Sequence, residues 1–280
     1  MKAPLFSLLI ANYNNGKYFE DCYKSIVAQT YEHWEVIIID DNSTDDSVTV
    51  IKNMIGNDAR FKIFLNEENK GCGYTKRRCA ELATGEICAF LDPDDAITPE
   101  ALEVMVAEHA KHPEASLVYS KPFWCDENLN VQYIRNSAQI ENELIDFFDF
   151  EGYIHHFLSF KKLFYNQTEG ISSYLQRAID KDLVFKLYER GPAYFVDKAT
   201  YKYRVHHKSI SMNQNEDKAF FWYWVTVIDA AKRRNINIEN LFVEKALTSR
   251  REYYLQKEID SYNKSIIFKG LRKLGIFKLF

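Results

Sequence analysis

The stretch ICAFLDPDD, residues 87–95, is an apolar run that ends in three carboxylates: Asp92, Asp94 and Asp95. A short apolar run without strict alternation is typical of a strand covered on both faces of a parallel sheet. Clustered carboxylates repel one another and raise one another's pKa unless a partner compensates them. A divalent cation with oxygen ligands, Mg²⁺ or Mn²⁺, would provide that compensation. The alternative is a polar Asp-Pro turn whose carboxylates accept hydrogen bonds from nearby backbone amides.

The residues on both sides of this turn alternate between short apolar runs and amphipathic stretches. The apolar runs predict strands over residues 5–11, 34–39, 61–65, 87–91 and 116–119. The amphipathic stretches predict helices over residues 18–29, 45–55 and 73–83, and another helix with Thr98 as its cap and Pro99 in its first turn. Strands and helices in strict succession favour right-handed crossovers and an α/β fold with a mostly parallel, twisted sheet and flanking helices. Ligand sites in such folds lie outside the carboxyl ends of the strands.

The second half of the chain has a weaker pattern and more aromatic residues. A helix is predicted over residues 173–190, before the terminator pair Gly191-Pro192, and a strand over residues 201–205. The chain from Asn213 onward reads as helical. We therefore expect three parts: an α/β region at residues 1–120, a second region of the same domain at residues 121–211, and a helical C-terminal extension at residues 212–280.

Composition excludes some classes of partner. The chain of 280 residues has a formal charge of −4, and because residues 264–280 hold five basic and no acidic side chains, the remainder carries 31 minus 40, or −9. An acidic body argues against a nucleic-acid partner, which needs clustered Lys and Arg. The basic, apolar tail of residues 264–280 is compatible with peripheral contact to anionic lipid, or with a terminal helix packed on the protein.

The cysteines and the N-terminus bear on the compartment. Five cysteines, an odd number without a CxxC pair, indicate reduced thiols and a cytoplasmic protein. The first residues lack the layout of a signal peptide, and no apolar run reaches membrane-spanning length. We expect a cytoplasmic protein that can lie peripherally on the inner face of the plasma membrane.

Further polar residues follow the first two strands. Asp40 and Asp41 end the second strand and are not explained as helix caps, whereas capping accounts for Ser43 to Asp45. Their carboxylates are suited to hydrogen bonds from a nucleoside base or ribose, and Tyr13, after the first strand, is suited to stacking on a base. These loops would converge with the turn at Asp92 if strands one, two and four are neighbours.

Several motifs in order and spacing resemble the family 2 glycosyltransferases. The matching segments are ANYN at residues 11–14, SIVAQTY at 25–31, WEVIIIDDNSTD at 34–45, Asn69, Gly71, TGE at 84–86 and FLDPDD at 90–95. The resemblance covers residues 6 to about 211. It implies the A-type glycosyltransferase fold, a nucleotide-sugar donor and a divalent metal, Mn²⁺ or Mg²⁺, as cofactor.

The resemblance also implies roles for individual positions. Asp92 would bind the donor sugar or ribose and Asp94 the metal. Ala11, Tyr13 and Asp41 would border the nucleoside, and Lys76, in place of a family Arg, would lie near the donor phosphates. The segment YRVHHKSIS at residues 203–211 is similar to one that closes over the diphosphate, and His206 is a candidate metal ligand. The alternative for His206 is a polar hydrogen-bonding residue after a strand.

The acceptor hydroxyl needs a general base, and the segment IDKDL at residues 179–183 offers two carboxylates. On the predicted helix Asp180 shares a face with apolar residues, whereas Asp182 lies one turn before Lys186 and is expected to form a surface ion pair with it. We therefore predict that Asp180 points inward, loses hydration, becomes more basic and is the catalytic base. The alternative is a buried acid paired with Arg177. Ile179 replaces a Glu that the family commonly has.

These residues and the resemblance together predict an inverting, metal-dependent hexosyl- or N-acetylhexosaminyltransferase. The resemblance implies a UDP-sugar as donor. The resemblance and the basic apolar tail also imply an acceptor hydroxyl on a saccharide or lipid-linked oligosaccharide in cell-surface polysaccharide synthesis. The first strand lacks the Gly-rich turn that a nicotinamide dehydrogenase needs. A non-catalytic subunit that binds a nucleotide-sugar remains the rival hypothesis, because a fold and its pocket can persist without turnover.

Overall fold

The computed structural model describes residues 3–140, 154–206, 215–243 and 248–265. The strands are β1 (Phe6–Asn12), β2 (Trp34–Asp40), β3 (Phe61–Leu65), β4 (Ile87–Phe90), β5 (Ala96–Ile97), β6 (Leu117–Cys125), β7 (Val131–Ile134), β8 (Leu158–Lys161) and β9 (Ala193–Arg204). The helices are α1 (Phe19–Val27), α2 (Ser47–Ile55), α3 (Cys72–Leu82), α4 (Ala101–Lys111), α5 (Lys162–Tyr165), α6 (Ile179–Tyr188), α7 (Glu216–Arg233), α8 (Ile238–Leu241) and α9 (Thr248–Lys264). A short 3₁₀ helix, Gly16–Tyr18, precedes α1.

The described strands form one sheet in the order β3-β2-β1-β4-β8-β6-β9-β5, with β7 paired to β6. Strands β3, β2, β1 and β4 are parallel, as predicted, and β1 lies between β2 and β4. In the second half, β8 runs antiparallel to both of its neighbours, whereas β6 and β9 are parallel. The carboxyl ends of β1, β2 and β4 therefore meet at one edge, where the sequence placed its polar loops.

Both faces of the parallel half are covered. On one face, alternate residues of β1 and β2, among them Leu8 and Ile38, join a buried cluster with Phe19 of α1, Ile51 of α2 and Met105 of α4. Helix α3 packs against β1 and β2 and buries Cys79 and Ala80. Since side chains alternate along a strand, burial on both faces explains why these runs are apolar throughout.

A buried carboxylate explains one of the motifs. Glu35 of β2 accepts hydrogen bonds from Ser7 Oγ at 2.7 Å, Thr84 N at 2.7 Å and Lys62 Nζ at 2.8 Å. Burial alone would raise the pKa of Glu35, but Lys62, Ser7 and Thr84 lower it to about 2. A Cβ on Gly85 would lie 2.5 Å from Ser7 Oγ, so glycine is needed at this close approach. The TGE motif at residues 84–86, directly before β4, therefore links β4 to β1 and β2.

The second half differs from its predicted boundaries. The predicted helix over residues 173–190 begins only at Ile179, because Ala178 has a left-handed φ of 58° and the Leu175 carbonyl accepts from Gly73 N at 2.9 Å instead of an intrahelical donor. The predicted strand over residues 201–205 is the end of the longer β9, which pairs with β6 along its length.

The chain divides into two compact units, Met1–Val227 and Ile228–Phe280, with the division inside α7. The first unit holds the sheet, and the second includes α8 and α9, as expected of a helical extension. Among the described helices, none combines the length and apolar character needed to cross a membrane. All five cysteines are free thiols, and Cys22, Cys79, Cys88 and Cys125 are buried. Most of the basic tail, residues 266–280, lies outside the described residues.

Candidate functional site

A cavity of about 930 Å³ opens at the edge of the sheet where β1, β2 and β4 end. Its wall includes all the residues proposed from the sequence as a site: Ala11, Tyr13, Asp41, Lys76, Asp92, Asp94, Asp180 and His206. They come from β1, the loops after β1, β2 and β4, helices α3 and α6, and the residues after β9. The sequence predicted that these loops converge if the first, second and fourth strands are neighbours, and the structure shows that they do.

The three carboxylates after β4 have different surroundings. Asp95 is buried and accepts hydrogen bonds from Tyr201 Oη at 2.6 Å and Arg204 N at 2.7 Å. Burial, followed by the charges of Asp94 and Asp92, raises the pKa of Asp95 well above its usual range. Asp95 borders the cavity but is engaged in anchoring the turn to β9, whereas Asp92 and Asp94 have the more exposed carboxylates of this turn.

Asp94 is paired with the histidine predicted as a metal ligand. Its Oδ2 lies 2.8 Å from His206 Nε2, and the Tyr18 ring lies 4.9 Å from the imidazole, centroid to centroid. Arg204 supports this pair, because its Nε donates to the Asp94 carbonyl at 2.6 Å and its guanidinium contacts Asp21 at 2.7 Å. A carboxylate and an imidazole at this spacing can bind one cation together. Among the described residues, no group of three or more His, Cys, Asp or Glu side chains is arranged to hold a metal.

Lys76 lies between two carboxylates of the cavity. Its Nζ is 3.0 Å from Asp92 Oδ1 and 3.3 Å from Asp180 Oδ1, and its side chain is 6% exposed. Burial opposes the charge of Lys76, but Asp180 and Asp92 more than compensate and raise its pKa well above the usual range. The ammonium is therefore a fixed positive charge in the cavity wall.

Asp180 has a second partner that the sequence did not indicate. His156 Nε2 lies 3.3 Å from Asp180 Oδ2, and the His156 ring stacks on Tyr201 at 5.1 Å. Burial would raise the pKa of Asp180, but Lys76 and then His156 lower it below its usual range. The expectation that an inward Asp180 becomes more basic is therefore wrong for this state of the site. Opposite charge outweighs desolvation.

The roles expected of Asp180 and Asp182 on helix α6 are partly reversed. Asp182 is 1% exposed and forms a buried ion pair with Lys186 at 2.9 Å, where a surface pair was expected. Asp182 also accepts from Ser172 N at 2.8 Å, and Lys186 Nζ donates to the Gly170 carbonyl at 2.8 Å. The Asp180 side chain, 45% exposed, lies at the cavity in the first helical turn. Asp182 and Lys186 are buried because they form hydrogen bonds with residues 170–172, and helical periodicity does not reveal these contacts.

The loops after β1 and β2 are joined by their own polar groups. Asp40 is buried and accepts from Asn12 Nδ2 at 2.7 Å and Ser43 N at 2.8 Å, so its carboxylate holds the loop and is not offered to a ligand as expected. Asp41 lines the cavity but is 3% exposed. It accepts from Asn66 Nδ2, Lys70 N and Gly71 N, each at 2.7 or 2.8 Å. These contacts explain why Asn69 and Gly71 belong to the motif set: they lie in the loop that Asp41 organises.

Tyr13 and several residues from the second half of the chain also line the cavity. The Tyr13 side chain is 45% exposed and borders the cavity next to Ala11. The cavity wall also includes residues to which sequence reasoning gave no role: His156, Trp124, Arg135 and Tyr203, the last from the segment of residues 203–211. His156, Trp124 and Arg135 lie in the irregular second half, where the chain offers no motif. The pairing of β6 with β7 and β9 brings Trp124 beside Tyr203 and places Arg135 directly after β7, whereas His156 lies just before β8.

Comparisons with known proteins agree with this geometry. The family model described as glycosyl transferase family 2 matches residues 7–180. A chondroitin synthase of Escherichia coli is 30% identical over 219 residues, which cover 76% of this chain and 31% of that protein. A chondroitin synthase of Pasteurella multocida is 27% identical over 97% of this chain and 28% of its own length. The chain thus spans about a third or less of these relatives.

Solved structures share the fold. TarS 1–349 of S. aureus in complex with UDP-GlcNAc superposes with a TM-score of 0.65 at 20% identity, over 80% of this chain and 65% of that one. The mannosyltransferase PcManGT of Pyrobaculum calidifontis, in complex with GDP-Man and Mn²⁺, superposes with a TM-score of 0.59 at 15% identity, over 94% and 85% of the two chains. The expected fold, an α/β sheet with flanking helices, is confirmed.

Proposed function

Because this chain belongs to glycosyl transferase family 2, we propose that it transfers a sugar from a nucleotide-sugar donor to an acceptor hydroxyl, with inversion at the anomeric carbon. One observation carries the proposal: the Asp94–His206 pair and the Lys76–Asp180 pair converge in one cavity at the carboxyl ends of β1, β2 and β4. Such a transfer needs a site for a divalent metal, a positive charge that binds phosphate, and a carboxylate base.

The donor would lie with its nucleoside across the ends of β1 and β2. Tyr13 is exposed enough to stack on the base, and Asp41 holds the loop of residues 66–71 that borders the same part of the cavity. UDP is our proposal for the nucleotide, in line with the UDP-GlcNAc complex of TarS. Asp92, in contact with Lys76, would bind the sugar or ribose hydroxyls.

Asp94 and His206 would hold the divalent metal, Mn²⁺ or Mg²⁺. The fit rests on their contact at 2.8 Å and on the negative charge of a turn from which Asp95 has been withdrawn into the protein. The Mn²⁺ in the PcManGT complex is consistent with this cofactor. When bound, the cation would neutralise charge on the departing diphosphate.

Asp180 would act as the general base. Its lowered pKa keeps the carboxylate ionised, but the same ion pair with Lys76 makes it a weak base. A donor diphosphate next to Lys76 would compete for the ammonium, which would return basicity to Asp180 once the donor is bound. Asp180 would then take the proton of the acceptor hydroxyl. The acceptor oxygen would attack the anomeric carbon on the face opposite the leaving diphosphate.

The biological setting is part of the proposal. The transferred unit would be a hexosyl or N-acetylhexosaminyl group, and the acceptor a saccharide or lipid-linked oligosaccharide of a cell-surface polysaccharide, in line with the chondroitin synthase relatives. We place the reaction in the cytoplasm. The proposal includes contact of the basic tail with the inner face of the membrane, and residues 266–280 of this tail lie outside the described residues.

The test uses thermal shift and turnover with a panel of nucleotide-sugars, in Mn²⁺, Mg²⁺ or chelator. We expect one UDP-sugar to stabilise the parent only with metal, and Asp94→Ala to remove that stabilisation. Asp180→Asn should keep donor binding but lower turnover about 10²- to 10⁴-fold. Asp58→Asn, at a partly exposed carboxylate that pairs with Arg60 and does not line the cavity, is the matched control and should behave as the parent.

Two outcomes would contradict the proposal. Metal-dependent donor binding without turnover in any form, with acceptors supplied, would favour a non-catalytic nucleotide-sugar-binding subunit. No stabilisation by any nucleotide-sugar would remove the donor site altogether.

A further inference from the structure

Three aromatic side chains form a row across adjacent strands, and two of them line the cavity. Trp124 of β6 lies opposite Tyr133 of β7 and beside Tyr203 of β9 in the strand register. The Trp124 ring stacks on Tyr203 with centroids 4.7 Å apart and on Tyr133 with centroids 6.0 Å apart, at interplanar angles of 24° and 21°. We call these three residues the aromatic row.

The aromatic row leads out of the cavity. Trp124 and Tyr203 line the cavity together with Arg135, and Arg204, next to Tyr203, donates to the Asp94 carbonyl. At the other end Tyr133 is 53% exposed on β7, which pairs only with β6 among the described strands. The aromatic row therefore extends from the cavity wall to a half-exposed ring on β7.

Arg135 adds a positive charge beside the aromatic row. Its guanidinium lies 5.2 Å from the Trp124 ring centroid, and within the described ranges it makes no ion pair with a carboxylate. Lys76 and Arg204, by contrast, are held by Asp92, Asp180 and Asp21. Of these three cationic side chains, Arg135 is thus the one that is not held by a carboxylate of the described residues, and its charge is available to an anionic ligand.

We propose that the aromatic row and Arg135 form an acceptor subsite that binds a sugar residue carrying an anionic group. Aromatic faces carry partial negative charge and attract the polarised C–H groups on one face of a pyranose ring, while burying apolar area. A guanidinium binds a carboxylate or phosphate through paired, charge-assisted hydrogen bonds. The inference rests on the proposed function in placing this sugar next to Asp180.

Cross-strand aromatic packing by itself would also stabilise the β6–β7 hairpin. That explanation does not require the half-exposed Tyr133 to contribute to ligand binding, nor Arg135 to discriminate between charged and neutral ligands. Saccharide binding measured without donor therefore separates the two explanations.

The experiment is calorimetric titration of the full chain with three tetrasaccharides: one containing hexuronate residues, the same one with its carboxyl groups reduced to alcohols, and a phosphorylated one. We expect at least one anionic tetrasaccharide to bind the parent more tightly than the neutral form. Arg135→Gln should weaken anionic binding about tenfold and leave neutral binding unchanged. Tyr133→Ala should weaken all binding. Whichever anionic probe binds more tightly identifies the source of the charge.

Two control variants match these substitutions. Ile134 is also 53% exposed, but it points to the opposite face of β7, so Ile134→Ala should bind as the parent does. Arg60 also lies over a tryptophan, 3.8 Å from Trp34, but outside the cavity, and Arg60→Gln should have no effect on binding.

The inference is overturned if no tetrasaccharide binds the parent, if Tyr133→Ala and Ile134→Ala behave alike, or if Arg135→Gln weakens neutral and anionic binding equally. The thermal shift of the parent with the nucleotide-sugar panel and metal is recorded in parallel. Saccharide binding with the expected dependence, but no thermal shift with any nucleotide-sugar, would refute the proposed function and leave the subsite standing. The reverse result would refute the subsite alone.

Discussion

Lys76 is the residue whose charge determines the state of the proposed base. Burial would raise the pKa of Asp180, and Lys76, with His156, lowers it instead. A base with a lowered pKa stays ionised as the pH falls, so the parent should lose little turnover to Asp180 protonation above about pH 5. In Lys76→Met the pKa of Asp180 should rise, and turnover should decline on the acid side at a higher pH than in the parent.

The pH dependence of kcat/KM for the donor is the measurement for this prediction, because kcat/KM reports the pKa values of the free enzyme, in which Lys76 still pairs with Asp180. Lys76→Met should also raise the KM for the donor, which lowers the whole profile but does not move its acid limb. Lys24→Met provides the control, since Lys24 is exposed and pairs with Glu20 away from the cavity. An acid limb at the same pH in the parent and Lys76→Met would show that Lys76 does not control the base.

At the scale of elements, the first turn of α3 and the residues that precede α6 hold each other in place. Gly73 N donates to the Leu175 carbonyl, and a Cβ on Gly73 would lie 2.5 Å from that oxygen and 2.8 Å from the Ser172 carbonyl. Helix propensity alone predicts that Gly73→Ala stabilises the protein by about 1 kcal/mol. The contact predicts the opposite sign, a loss of about 1–3 kcal/mol in the free energy of unfolding.

Urea unfolding distinguishes these two signs for Gly73→Ala, and donor binding should weaken together with stability because residues 173–178 line the cavity. Tyr74→Ala is a control in the same turn, at an exposed side chain that does not line the cavity, and should leave donor binding unchanged. Stabilisation by Gly73→Ala would refute the close packing of these two segments.

At the scale of the whole molecule, the described cavity belongs to the first unit. Every residue that lines it lies at or before His206, whereas the second unit begins at Ile228. We therefore predict that a chain ending at Arg233, which keeps α7 complete, retains the metal-dependent thermal shift with a UDP-sugar. Loss of that shift in a truncated chain that still shows a cooperative unfolding transition would assign part of the donor site to residues 234–280.

Much of the candidate site was predictable because its motifs are local. The turn of residues 92–95 and the loop after β2 each follow a buried strand directly, and parallel strands in sequence order bring such loops to one edge. Asp182 shows where this reasoning fails. Its spacing to Lys186 is that of a surface pair, but the pair is buried under residues 170–172, which no periodicity places there.

The sequence by itself determined the α/β class, the parallel strands β1 to β4 and the polar loops that follow β1, β2 and β4, because alternation of apolar and polar segments and the loops after strands are encoded locally. Lys76 and His206 were assigned to the site through the resemblance of their motifs. Only the tertiary structure decided that Asp95 anchors the turn, that Lys76 and His156 lower the pKa of Asp180, and that Trp124, Tyr133 and Tyr203 form one row. Those outcomes depend on side chains far apart in the chain. Their burial and mutual charge are set by strand order and packing, which local pattern does not specify.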